Sequence, residues 1–110
     1  MKKQLIILIL RILETQTDDA HPITQVEIAR LISGKYPCDR KTVGRNIGFL
    51  RELGFPIEKC PRGFYMERKL FTREEIAFVL EAVRGAPSKL PDREELCERL
   101  FESLSRYYKP

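Results

Sequence analysis

The chain has 110 residues, of which 43% are hydrophobic and 33% are charged. This length and composition are typical of one globular domain with a modest core, and they exclude a second large domain. The net charge of +4 is small. The distribution of the charge along the chain is therefore more informative than its total.

Positive charge is concentrated in the middle of the chain. Residues 34–69 contain nine lysines and arginines against four acids, whereas residues 1–33 are neutral and residues 70–110 carry a net charge of −1. A solvated surface more often mixes both signs, so this distribution favours a local cationic surface with an anionic partner. An ordinary charged surface without a partner is the alternative.

The first predicted helix covers residues 3–16 and is apolar on more than one side. Its main stripe consists of Leu5, Leu8, Ile9, Ile12 and Leu13, while Ile6, Ile7 and Leu10 lie on other faces. Two lysines before the apolar run imitate a signal peptide, but the run has about six residues and no small-residue cleavage site follows it. It is also too short to span a bilayer. We therefore expect a core helix and no membrane partner.

The cysteines and the single histidine do not form a recognisable reactive site. Cys38, Cys60 and Cys97 are odd in number and widely spaced, which favours a reducing cytosol over a disulfide scaffold or a zinc site. His21 lies in a polar turn over residues 17–22, and we expect a surface residue there rather than a catalytic base. We expect a cytoplasmic protein without a metal or cofactor.

Two short helices joined by a tight turn come next. Thr24-Gln-Val-Glu27 is a capping box, and the helix that it opens ends at Gly34. After a short linker that contains a proline, Asp39 is a good N-cap and Gly54 a good residue just past the end of a second helix. The spacing of Val43, Ile47, Leu50 and Leu53 predicts that these four residues form its buried face. The pair predicts a helix-turn-helix, with a recognition helix over residues 39–53.

The opposite face of the second helix is cationic and contains two glycines. Lys41, Gly44, Arg45 and Gly48 lie on this face, with Arg40 and Arg51 at its edge. Each glycine costs a helix about 1 kcal/mol relative to alanine. The two bare positions therefore suggest close approach to another surface, which we interpret as the DNA major groove. The alternative is relaxed selection on base reading.

A β-hairpin, or wing, is predicted after the second helix. Residues 55–60 and 64–69 have the composition of two short strands, and Pro61-Arg62-Gly63 between them is typical of a hairpin turn. Lys59 and Arg62 would lie on this wing, over residues 57–68, where they could meet phosphates or the minor groove. The alternative for Arg62 is an exposed turn residue without a partner.

Two more helices are predicted at the end of the chain. Thr72 opens the first, over residues 74–84, with Ile76, Val79, Leu80 and Val83 on one face. A loop over residues 85–91 follows. Asp92 caps the second helix, whose stripe consists of Leu96, Leu100, Phe101, Leu104 and Tyr108. Either stripe could cover the surplus apolar surface of the first helix, in the same chain or in a partner.

Four stretches together resemble one known family. Thr24-Gln-Val-Glu-Ile-Ala, Asp39-Arg-Lys-Thr-Val-Gly-Arg-Asn-Ile, Leu53-Gly-Phe-Pro-Ile57 and Gly63-Phe-Tyr-Met66 are similar to the N-terminal winged helix of bacterial WYL-domain transcriptional regulators. The stretches Leu70-Phe71-Thr72-Arg-Glu-Glu and 89–104 look like the helices that link this winged helix to the sensor domain. The resemblance implies a DNA-binding regulator whose effector is unknown.

The chain differs from this family in two ways. A WYL domain follows the linker helices in the family, whereas this sequence stops at Pro110. It is either an excised DNA-binding part or a natural form without the sensor. Gly44 and Gly48 also stand where members of the family more often have polar side chains.

The expected fold is mainly α with a small β-hairpin wing, a winged helix-turn-helix over residues 1–70 followed by a helical linker or dimerisation segment over 71–110. The expected function is sequence-specific binding of double-stranded DNA. Lys41 and Arg45 would reach base edges, Arg40 and Thr42 would contact bases or phosphates, and Gln25, Lys59 and Arg62 mainly phosphates. Gly44 and Gly48 would allow the close approach. A winged helix that binds only proteins is the alternative, and no motif predicts an enzyme.

We also expect a homodimer held by the first helix and the two C-terminal helices. The first helix has more apolar surface than one small winged helix can cover, and a single module has few phosphate contacts. A two-fold dimer would bury Ile6, Ile7 and Leu10 against Leu96, Leu100 and Leu104 or their symmetry mates.

Overall fold

In the computed structural model, which describes residues 2–87 and 89–109, helices and one β-hairpin follow each other along the chain. The helices are α1 (Lys2–Gln16), α2 (Gln25–Ser33), α3 (Arg40–Glu52), α4 (Arg73–Gly85) and α5 (Arg93–Leu104). The hairpin of β1 (Ile57–Cys60) and β2 (Gly63–Met66) lies between α3 and α4. The fold is a winged helix followed by two C-terminal helices, as the sequence predicts. The chain divides into two compact units, Met1–Glu67 and Arg68–Pro110.

The four predicted N-caps are confirmed. The side chains of Thr24, Asp39, Thr72 and Asp92 each accept a hydrogen bond from the backbone N–H three residues later. Thr24 and Thr72 complete the reciprocal capping box with Glu27 and Glu75. These bonds satisfy N–H groups that have no partner inside the helix, and they fix where each helix begins.

The core of the first unit lies where α1, α2 and α3 contact each other. Ile9, Ile28 and Val43, one from each helix, are fully buried. Along α1 the deepest positions are Leu5, Ile9 and Leu13, while Ile7 is 55% exposed. Leu53 was predicted to be buried with Val43 but is 71% exposed. Leu53 is the C-cap of α3, and the helical repeat turns its side chain well away from the direction in which Val43 faces the core. It is therefore exposed to solvent.

The wing is an antiparallel pair in which Ile57 lies opposite Met66 and Cys60 opposite Gly63. Both strands are shorter than predicted. Pro56 has no N–H to donate before β1, and Arg68 has a positive φ of 58° shortly after β2. The turn contains only Pro61 and Arg62, and Gly63 begins β2 with a φ of 131°.

Two contacts far apart in sequence hold the wing to the helices. Ile23, just before α2, exchanges both backbone hydrogen bonds with Phe64, at 2.8 and 2.7 Å. Thr17, just after α1, accepts a hydrogen bond from the Met66 N–H at 2.9 Å and donates one to the Leu13 carbonyl at 2.6 Å. The predicted polar turn over residues 17–22 is therefore partly an internal support of the wing. His21 in this turn is half-buried and its Nδ1 lies 2.8 Å from Asp18 Oδ1.

The second unit is built on the pairing of α4 with α5. Its core is formed by Ile76, Leu80 and Cys97, with Phe71, Val83, Leu100, Phe101 and Leu104 packed around them. Val79, which was predicted on this face, is 38% exposed. Tyr108 lies beyond α5 and forms an isolated bridge with Lys69, so neither the predicted stripe nor the predicted second strand extends that far.

Lys69 is buried, and its ammonium donates to the Ser105 carbonyl at the end of α5, where the helix dipole is negative.

In the predicted loop over residues 85–91, Ser88 lies outside the described residues. Within the described ranges, no helix combines the length and the apolar character that crossing a membrane requires.

Candidate nucleic-acid interface

The first turn of α3 is fixed by Asp39. Its Oδ1 accepts a hydrogen bond of 2.8 Å from the Thr42 N–H. Hydrogen bonding by the Thr42 backbone and then by the Thr42 side chain lowers the pKa of Asp39 below its ordinary value. The carboxylate is therefore ionised at neutral pH and stabilises the end of α3 at which Arg40 and Lys41 lie.

The outer face of α3 presents three cations. Arg40, Lys41 and Arg45 are all exposed, and none of them forms an ion pair within the part of the chain that the structure describes. Arg45 Nη2 donates to Thr42 Oγ1 at 3.3 Å. Because no described carboxylate lies within ion-pair distance of these side chains, their charge is available to an anionic partner.

Gly44 has an internal explanation that the sequence did not reveal. The Gln25 side chain crosses from α2, where its Nε2 donates a hydrogen bond of 2.8 Å to the Arg40 carbonyl. A Cβ at Gly44 would lie 2.5 Å from this nitrogen. The absence of a side chain at Gly44 therefore leaves room for the Gln25 amide over α3, in addition to any approach by a partner. At Gly48, by contrast, nothing lies within 4 Å of an added Cβ.

The tip of the wing presents two more cations. Arg62 is exposed in the two-residue turn and forms no ion pair among the described residues. The Lys59 ammonium lies 5.9 Å from the centre of the Phe64 ring, within the range of a cation–π contact. Since Phe64 is also bridged to Ile23, the wing is anchored at the residue that faces Lys59.

The concentration of positive charge is smaller than the sequence count suggested. Arg68 and Lys69 belong to the second unit, and Lys69 is buried. Residues 34–67 of the winged unit contain seven lysines and arginines against four acids. The cationic character of this unit therefore depends on where its charges lie, on α3 and the wing tip, more than on their number.

An open groove of about 630 Å³ lies beside the cationic face of α3. It is lined by Leu5, Tyr36, Pro37, Thr42, Arg45, Asn46 and Phe49. We did not predict this groove from the sequence, although the spacing of Thr42, Arg45, Asn46 and Phe49 places these four residues on one stripe of α3. The signal in the sequence that could have indicated the groove was Phe49, an aromatic residue on the outer side of α3.

Cys38, between α2 and α3, is half-buried, and its Sγ lies 3.8 Å from the Asp39 carbonyl oxygen. Burial, and secondly the charge of Asp39, raise the pKa of this thiol. A thiol with a raised pKa is mostly protonated at neutral pH, so Cys38 lacks the property that activates a cysteine nucleophile.

Comparison of the chain with protein-family models, with curated proteins and with solved structures gave no match. The resemblance to WYL-domain regulators therefore depends on the sequence stretches named above. The geometry and charge of α3 and of the wing are independent grounds for a functional proposal.

Proposed function

We propose that the protein is a sequence-specific, double-stranded DNA-binding transcriptional regulator of the WYL-like type, with α3 in the major groove and the wing on the backbone or minor groove. The cations of the α3 outer face, which are exposed and form no ion pair among the described residues, are the observation that supports this proposal most directly. A major groove admits one α-helix, and lysine and arginine are the commonest readers of guanine. As a bacterial regulator it would act in the cytoplasm.

The proposed contacts follow from where each side chain lies. Lys41 and Arg45 would reach base edges, while Arg40 and Thr42 would contact bases or phosphates. Gln25 uses one amide hydrogen on the Arg40 carbonyl, and its second N–H is available for a phosphate oxygen. Lys59 and Arg62 would contact phosphates from the wing. Gly48, which has open space around it, would allow α3 to approach the DNA closely.

The test is fluorescence anisotropy with duplex DNA from upstream of the protein's own gene, at 50 and 200 mM salt. Affinity should fall steeply with salt, because bound cations release counterions from DNA. Lys41→Ala/Arg45→Ala should weaken specific binding by about 1–3 kcal/mol for each side chain that reads a base. Lys89→Ala/Arg99→Ala, in the second unit, removes the same charge and should have little effect. Equal affinities for the two double variants would contradict the proposal.

We further propose that two copies bind DNA as a homodimer through α1 and the C-terminal helices. Leu100 and Leu104 are partly buried against the core of their own unit, which reduces the surface that they could offer to a partner. Among the described large apolar residues of α1, α4 and α5, the exposed ones are Ile7 on α1 and Phe78 and Val79 on α4, with Phe78 at 73%. A two-fold dimer would place two α3 helices about one DNA turn, or roughly 34–36 Å, apart on a pseudo-palindromic site.

A second candidate function is a winged helix that binds another protein and no DNA. The observation that favours it is the exposure of large apolar side chains on the winged unit itself, Leu31 at 60% and Leu53 at 71%. Exposed apolar side chains mark an interaction site where they form one contiguous patch. The anisotropy experiment separates the two functions, because a protein-binding module would show no salt-dependent DNA binding.

A further inference from the structure

The groove beside α3 has apolar walls. Leu5 of α1, Pro37 of the turn and Phe49 of α3 line it, together with Tyr36. Phe49 is 52% exposed, although phenylalanine is a residue that folding normally buries. The volume of about 630 Å³ falls within the range of small-molecule sites. The groove therefore has the size and the surface to hold a flat apolar group.

The polar groups in the groove have hydrogen-bonding capacity left. Arg45 donates one hydrogen bond, to Thr42 Oγ1, and a guanidinium has five N–H donors. Within the described residues the Tyr36 hydroxyl has no hydrogen-bond partner. Asn46 uses one amide hydrogen on the Thr42 carbonyl at 2.9 Å, which leaves its other donor and its oxygen.

The charge of the groove is positive. None of the described residues that line it is acidic, and Arg45 is the cation among them. The acid whose charge acts on Arg45 is Asp39, the N-cap of α3, which does not line the groove. Arginine binds carboxylates with two parallel hydrogen bonds. An apolar slot with an arginine at its rim thus complements a molecule that has a ring at one end and a carboxylate at the other.

We propose that this groove binds a small aromatic carboxylate. The ring would lie against Leu5, Pro37 and Phe49, and the carboxylate would accept hydrogen bonds from Arg45, with the Tyr36 hydroxyl or the Asn46 amide as an additional donor. The regulatory consequence rests on the proposed function. Because an Arg45 held by a carboxylate cannot also reach a base edge, the bound acid would compete with DNA.

The binding test uses the whole chain without DNA and 2-naphthoate as the probe, followed by ¹H–¹⁵N NMR. The matched control ligand is 2-naphthalenemethanol, which has the same ring system and no charge. We expect naphthoate to shift the amide signals of Tyr36, Asn46 and Phe49, and to bind at least fivefold more tightly than the alcohol. Equal binding of the two ligands, or shifts confined to other regions, would overturn the proposal.

Variants test which residues bind the carboxylate of the ligand and which bind its ring. Arg45→Gln should weaken naphthoate binding at least tenfold and change alcohol binding less than twofold, whereas Arg51→Gln, on the same helix but outside the groove, should leave both unchanged. Arg45→Lys keeps the charge without the fork and should give an intermediate loss. Phe49→Ala should weaken both ligands. An unchanged naphthoate affinity in Arg45→Gln and Arg45→Lys would refute the role of Arg45.

Two further measurements separate this proposal from the other possibilities. If the groove signals change on dilution without any probe, a second copy of the chain occupies the groove and the proposal is wrong. If the protein binds DNA and naphthoate fails to displace it, the coupling to α3 is refuted. If the protein does not bind DNA at all, the proposed function fails, while the titration without DNA still decides whether the groove binds the acid.

Discussion

The Gln25 amide lies across Gly44, at a point where a single methyl group on α3 would come within 2.5 Å of its nitrogen. The same nitrogen holds the Arg40 carbonyl at 2.8 Å, so the contact links the N-terminus of α2 to the first turn of the proposed recognition helix. A glycine that makes room for a binding partner cannot be distinguished in a sequence from a glycine that makes room for a neighbouring side chain. The structure shows that Gly44 has an internal role.

Alanine at Gly44 and at Gly48 should therefore have different effects on stability. Gly48→Ala meets nothing within 4 Å and should raise the free energy of unfolding by about 1 kcal/mol, the difference in helix propensity. Gly44→Ala should gain less, because it displaces Gln25 and breaks a hydrogen bond worth about 0.5–1.5 kcal/mol. Urea unfolding measures both. In a Gln25→Ala background Gly44→Ala should recover the full gain in stability. If Gly44→Ala stabilises the native chain as much as it stabilises the Gln25→Ala chain, the contact is contradicted.

Gly63 should tolerate alanine poorly. Its φ is 131°, and an added Cβ would overlap the Ile23 carbonyl group. This group belongs to the backbone and cannot rotate away as the end of a side chain can. We expect Gly63→Ala to lower the free energy of unfolding by about 2 kcal/mol or more, since backbone strain and the disruption of the Ile23 bridge add together. Gly54→Ala is the matched control, with a φ of 100° but nothing within 4 Å. The prediction fails if the control is as damaging as Gly63→Ala in thermal or urea unfolding.

Asp39 should make the stability of the winged unit depend on acid pH. Its pKa in the folded protein is lowered from the ordinary 3.8, so its contribution is present above that value and is lost as the pH falls through the folded pKa. Asn and Ser also cap helices but do not titrate in this range. Urea unfolding between pH 6 and pH 2.5 should show a smaller loss of stability in Asp39→Asn and Asp39→Ser than in the native chain. Parallel pH curves for all three proteins would argue against this role.

Arg62→Ala should weaken binding to every DNA sequence by a similar factor. A phosphate contact carries no sequence information, and its removal should make the slope of log affinity against log salt shallower by roughly one unit. Anisotropy titrations at four salt concentrations, on the best site and on a scrambled duplex, measure this. Arg99→Ala removes one exposed arginine from the second unit and should leave the slope unchanged. If Arg62→Ala alters the sequence preference instead, the wing reads bases.

Sedimentation velocity at micromolar concentration should give twice the chain mass of 12.9 kDa. Phe78→Glu places a charge on the exposed apolar face of α4 and should shift the protein towards the monomer. Leu31→Glu, on an exposed apolar position of α2, should leave the dimer intact. A mass near 12.9 kDa at all concentrations, with a single half-site protected in footprinting, would identify a monomeric DNA-binding protein.

The helices and the hairpin were predictable from the sequence because their signals are local. A cap such as Thr24 or Asp39 bonds a backbone N–H only three residues away, and the helical repeat of apolar residues is confined to one element. The turn at Pro61 and Arg62 depends likewise on a few neighbouring residues. These interactions determined the order of the elements and the outer position of Lys41 and Arg45, and with them the fold class.

The remaining features required residues that are distant in sequence to be close in space. The bridge of Ile23 to Phe64, the support of Met66 by Thr17 and the crossing of Gln25 over Gly44 leave no periodic pattern, because each joins two elements at a single point. Spacing alone also overstated the buried face of α3, because Leu53 is the C-cap and lies well to one side of the direction in which Val43 faces the core, so its side chain is exposed. The local pattern of this sequence thus determined which side of α3 faces outward, and only tertiary packing decided that an apolar groove with Arg45 in its wall lies beside it.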